Sequence, residues 1–162
     1  MRPAILLCLS LAVAANVVSA GGTQTPATPS QPAVIAPPAW SRVLHMPDGR
    51  TFVTDGGFAI DAAIAKPSTL PATVLTGKSV ETLAGYLAAQ YQSEIGFNDL
   101  KTGTLKNTFV APSGVVLNGN YVNFLRRSVP GTRLRFRVKG DFDPIVVVLD
   151  GQPIGVLMPV RR

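Results

Sequence analysis

The chain has 162 residues, with 15 Lys or Arg against 9 Asp or Glu for a net charge of +6, and it contains one cysteine and one histidine. That inventory supplies no ligand set for a zinc or redox-metal centre and no disulfide framework, so neither metal nor cofactor is expected. A hydrolase would have to assemble around His45 alone, and no nucleophile–base–orienter pattern accompanies it, so the chain is read as non-enzymatic.

Residues 1–20 read as a secretory signal peptide. Arg2 is the only charge before Arg42, an apolar run from Ala4 to Ala15 follows, and Val18-Ser19-Ala20 places small residues at −3 and −1 of a cleavage site. The apolar run falls short of the roughly 20 residues a membrane span requires. Cleavage would remove Cys8, leaving a chain from Gly21 that must be stabilised by its core alone. An extracytoplasmic destination, periplasm or medium, is expected. Residues 21–38 are rich in Pro, Thr and Ala and carry no charge; such a segment buries too little to offset its ordering entropy and reads as a flexible linker. Residues 39–162 then form a single α+β domain with a largely antiparallel sheet and two amphipathic helices.

Within that domain, Val43–Met46 and Arg50–Thr54 flank Pro47-Asp48-Gly49, a hairpin signal. Asp55-Gly56-Gly57 marks a second turn into Phe58-Ala59-Ile60, and Pro67 and Pro71 punctuate a loop. Val80, Leu83, Ala84, Leu87, Ala88 and Tyr91 share one helical face, with Ser79 as the expected N-cap. Thr108–Val110 and Gly114–Leu117 predict short strands, and a second helix is expected from Asn118 or Asn120 to Pro130-Gly131. From Thr132 to Lys139 the chain alternates: Leu134, Phe136 and Val138 on one face, Arg133, Arg135, Arg137 and Lys139 on the other. A last hairpin joins Pro144–Leu149 to Gln152–Val160 through Asp150-Gly151. Pro153 and Pro159 lack donors, so its second strand is expected at a sheet edge or to begin late.

Three local patterns imitate chemistry and fail on spacing. Thr76-Gly77-Lys78-Ser79 resembles the end of a phosphate-binding loop, but Ala72 stands where the first glycine belongs. Asp141-Phe142-Asp143 is followed by Pro144 and Ile145 where a calcium loop needs oxygen ligands. Ser113, in Pro112-Ser113-Gly114, sits in turn chemistry.

Charge is distributed unevenly. Residues 21–125 hold six basic and six acidic side chains, whereas residues 126–162 hold eight basic against three acidic. Arg133, Arg135, Arg137 and Lys139 recur about 7 Å apart along one strand face. Such a ladder suits an anionic polymer or a membrane surface, and equally a solvated strand face that resists edge aggregation.

From Leu117 onward the chain resembles the C-terminal module of the bacterial DNA polymerase sliding clamp. The resemblance rests on Asn118-Gly119-Asn120-Tyr121-Val122, where the family has Asn-x-x-Tyr and an aliphatic residue, and on the Met158-Pro159-Val160-Arg161 tail. It implies helices packed on antiparallel sheets and a groove for short partner peptides formed with Val156, Met158, Pro159, Val160 and Arg161. It alone brings nucleic acid in as a partner. Taken together, the sequence predicts an exported binding or structural domain, with a diverged single-module clamp relative as the alternative.

Overall fold

Large apolar side chains fall on both faces of several strands, so a sheet built from them needs a cover on each side. The computed structural model describes residues 38–161; the expected signal peptide and all of the linker except Pro38 lie outside the described residues. The fold is α+β, with a mostly antiparallel eight-stranded sheet, a separate three-stranded sheet and three helices.

In chain order, β1 (Arg42–His45), β2 (Thr51–Thr54) and β3 (Phe58–Asp61) form a meander. The single-turn helix α1 (Ala62–Ala65) follows, capped by the Asp61 carboxylate on the Ala63 amide at 2.9 Å. Next, β4 (Val74–Leu75) pairs parallel with β1 at one edge of the large sheet. The helix α2 (Lys78–Ala88) then crosses one face, and β5 (Ser93–Gly96) forms the opposite edge. The small sheet comprises β6 (Lys101–Thr102), β7 (Thr108–Val110) and β8 (Val116–Asn118), and α3 (Gly119–Ser128) follows it directly. The C-terminal strands β9 (Leu134–Val138), β10 (Ile145–Leu149) and β11 (Gln152–Leu157) complete the large sheet, whose order is β4-β1-β2-β3-β11-β10-β9-β5.

The faces divide by residue parity. On one side Leu44, Phe52, Val146, Val148 and Val156 meet Leu83 and Leu87 of α2. On the other, Val53, Ile60, Phe136 and Val147 pack with Val122 and Leu125 of α3 and Leu117 of β8. Covered on both faces, β10 is an unbroken apolar run, as such a strand must be. Trp40 joins the second core through edge and tilted contacts with Phe124 and Phe58, centroids 5.6 and 5.7 Å away.

Three expectations need correction. First, of the two alternatives for β11 the edge position fails: the strand lies in the middle of the sheet, and it starts late only on its β3 side. Pro153 is tolerated because pairing with β3 begins only at Gly155, and a register shift in the β10 pairing accommodates the proline end. The β3–β11 contact is close: a Cβ on Gly155 would lie 2.7 Å from the Ala59 carbonyl oxygen. Second, the N-cap of α2 is Gly77 and not Ser79. The chain leaving β4 turns through φ +54°, a conformation glycine adopts freely and serine resists. Third, α2 ends at Ala88, so Tyr91 lies beyond the helix; it still packs on the same core and donates to the Tyr86 carbonyl at 2.6 Å.

Candidate binding groove

Cross-strand register sets the floor of the site. Arg42 stands opposite Thr54, Thr54 opposite Ala59, and Ala59 opposite Val156, so these four form one transverse row across β1, β2, β3 and β11. The next row toward the β1–β2 turn is bulkier, with Leu44 opposite Phe52. Small side chains at Thr54 and Ala59 therefore leave a hollow that their larger neighbours do not fill. The helix α2 overhangs it, presenting Lys78, Ser79, Thr82, Leu83 and Tyr86. Leu75 and Met158 also line it, and Met158 is well exposed for a large apolar residue. The result is an open groove of about 410 Å³.

Its wall at the β2–β3 turn is held by a long-range hydrogen bond. The Tyr121 hydroxyl of α3 donates to Asp55 Oδ2 at 2.7 Å, while Asp55 Oδ1 accepts the Gly57 and Phe58 amides at 2.9 Å each. The Thr54 hydroxyl accepts the Gly56 amide at 3.0 Å. Burial, reinforced by the bond to the Asp55 carboxylate, pushes the Tyr121 phenol up to about 12. Gly56 and Gly57, which this network positions, line the groove.

The electrostatics are one-sided. Arg42 and Lys78 line the groove and no Asp or Glu does. Three cations elsewhere are engaged by carboxylates: Arg50 with Asp48, Arg133 with Asp150, and Arg137 with Glu94 at 2.8 Å.

The expected site residues are dispersed. Of the five tail positions, Val156 and Met158 line the groove, whereas Pro159, Val160 and Arg161 do not. The Val160 amide instead donates to the Val116 carbonyl of β8 at 2.8 Å, drawing the tail toward the small sheet. The basic ladder is also divided. Arg133 belongs to a 3-10 turn before β9 and pairs with Asp150, and Arg135 donates to the Thr132 and Leu134 carbonyls at 2.9 and 3.0 Å. Arg137 is half-buried against Glu94 of β5, and Lys139 is exposed past the strand end. His45 Nδ1 lies 3.1 Å from the Thr51 hydroxyl on the exposed β1–β2 pair, outside the groove.

Sequence reasoning missed Arg42, Ala59, Lys78, Ser79 and Thr82. One signal was present: Ser79, Thr82 and Tyr86 recur at i, i+3 and i+7, a hydroxyl-bearing stripe beside the apolar face of α2. In comparison with known proteins, no protein-family model, curated protein or solved structure matches this chain.

Proposed function

We propose that this chain is an exported, non-enzymatic binding domain whose site is the groove between α2 and the large sheet. The observation that carries the reading is the groove itself, an open hollow lined mainly by apolar side chains together with hydroxyls and two cations. Its volume lies within the range of small-molecule sites, about 300–1,000 Å³, where apolar lining supplies affinity and a few polar groups set orientation. Against this, the ladder of Arg133, Arg135, Arg137 and Lys139 serves an anionic polymer less well, because two of its cations are already paired.

A neutral apolar dye such as Nile red tests the site. Binding with a blue-shifted emission is expected, and Thr82→Trp, which places an indole over the hollow, is expected to abolish it. Dye binding unchanged by that substitution would refute the assignment. Export rests on the order of charge, apolar run and small residues in 1–20. N-terminal sequencing of protein recovered outside the cytoplasm should begin at Gly21; an intact Met1 in a soluble cytoplasmic pool would defeat it.

A second reading, a diverged single-module relative of the sliding clamp that keeps a partner-peptide groove, draws on Val156 and Met158. Both belong to the clamp-like tail and both line the hollow. On this reading short apolar peptides selected for binding displace the dye, and failure of every selected peptide to compete counts against it.

A further inference from the structure

The groove has a chemical polarity along its length. Its floor row runs from Arg42 on β1 through Thr54 and Ala59 to Val156 on β11, about 14 Å across four strands. Lys78 enters from the same side as Arg42, because it opens α2 three residues after β4, the strand paired with β1. Both cations thus enter the lining from the outer side, with Ser79 next to Lys78 in sequence, and Leu83, Val156 and Met158 add apolar surface. Neither Arg42 nor Lys78 forms an ion pair with a described residue, whereas Arg50, Arg133 and Arg137 each hold a carboxylate. With no acidic side chain in the lining, the rim is complementary to an anion and repels a cation.

We propose that the groove binds a free single-chain amphiphile with an anionic head, its carboxylate at Arg42 and Lys78 and its alkyl chain along Ala59 toward Val156. The proposal rests on the groove being the binding site. Charge-assisted bonds from a guanidinium and an ammonium orient the head, and the aliphatic floor takes the chain. The volume suits one chain, which favours a free carboxylate over a two-chain lipid.

The test titrates the folded protein at low salt with decanoate, 1-decanol and decyltrimethylammonium, each below its micelle concentration, following displacement of Nile red. Decanoate is expected to bind about tenfold more tightly than decanol, with the cationic amphiphile weakest. Shortening the acid to octanoate should weaken binding about tenfold, since each buried methylene contributes several-fold. Arg42→Gln with Lys78→Gln should reduce the advantage of decanoate over decanol to within about twofold. Thr82→Trp should abolish binding of both; Ser79→Trp, also at an exposed helix position, provides the same block should the first variant fail to fold. Equal affinity for decanoate and decanol, both lost in the Trp variant, overturns the anionic head and leaves the groove standing. Binding of neither, or binding indifferent to both Trp variants, overturns the proposal together with the groove. Displacement by selected peptides but by no amphiphile overturns it in favour of the peptide reading.

Discussion

Removing one oxygen atom, in Tyr121→Phe, separates the groove wall from the helix that braces it. In the native fold the phenol donates to Asp55 Oδ2 at 2.7 Å, and the same carboxylate holds the Gly57 and Phe58 amides. A hydrogen bond to a charged group contributes about 1.5–3 kcal/mol, and this one is only partly shielded from water, so a loss of about 1–1.5 kcal/mol is expected in urea denaturation at pH 7. The pH dependence is more diagnostic. Burial and the Asp55 carboxylate raise the phenol from 10.0 to about 12 in the folded state. The folded chain therefore holds this proton more tightly than the unfolded chain. The stabilisation is complete below pH 10 and is lost as pH rises through 12. The full shift would correspond to about 2.7 kcal/mol, which solvent screening at a half-exposed group reduces to about 1 kcal/mol. Wild type should lose about that much between pH 10 and pH 12, and Tyr121→Phe should lose distinctly less. Some slope will remain from Tyr91, whose phenol is also raised by burial. An alkaline slope identical in the two proteins would refute the assignment of the shift to Tyr121, and an unchanged midpoint at pH 7 would refute the bracing role.

Phe136 is fully buried in the core beneath α3, so Phe136→Ala should cost about 3–5 kcal/mol by urea denaturation; a loss under about 1 kcal/mol would mean its face is assigned wrongly. Gly155→Ala places a Cβ 2.7 Å from the Ala59 carbonyl and should destabilise by about 1–3 kcal/mol, with faster amide exchange along β3; full stability would show that the β3–β11 contact can relax. Arg135→Gln with Arg137→Gln removes one exposed pair with Glu94 and should cost no more than about 1 kcal/mol. Any salt-sensitive binding of wild type to DNA, anionic vesicles or acidic glycans that this double variant flattens would restore the ladder as a contact surface.

Much of the element pattern was legible because it is encoded locally. The β1–β2 and β10–β11 hairpins, the alternation of β9 and the apolar faces of α2 and α3 each follow from a few adjacent residues whose turn chemistry and periodicity agree. The site was legible only in fragments. Val156 and Met158 were reached through the tail, but Ser79 was read only as an N-cap, Thr82 and Tyr86 drew no reading, and Ala59 and Arg42 had no signature at all.

The difference is one of sequence separation. Periodicity reports which face of an element is apolar, and here that alone determined an α+β chain with a largely antiparallel sheet; the cover on its second face came from the tertiary structure. It does not report which strand becomes a neighbour of which. Pro153 left open an edge position or a late start, and β11 is central because β3, far earlier in the chain, pairs with it only beyond the proline. That pairing sets Ala59 beside Val156, aligns them with Thr54 and Arg42, and lets α2 cross above them. A hollow made by small residues from separate strands under one helix exists only after those strands are in register. Its charge comes from Arg42 and Lys78, distant in sequence and brought into one lining once β4 pairs parallel with β1 and α2 follows it.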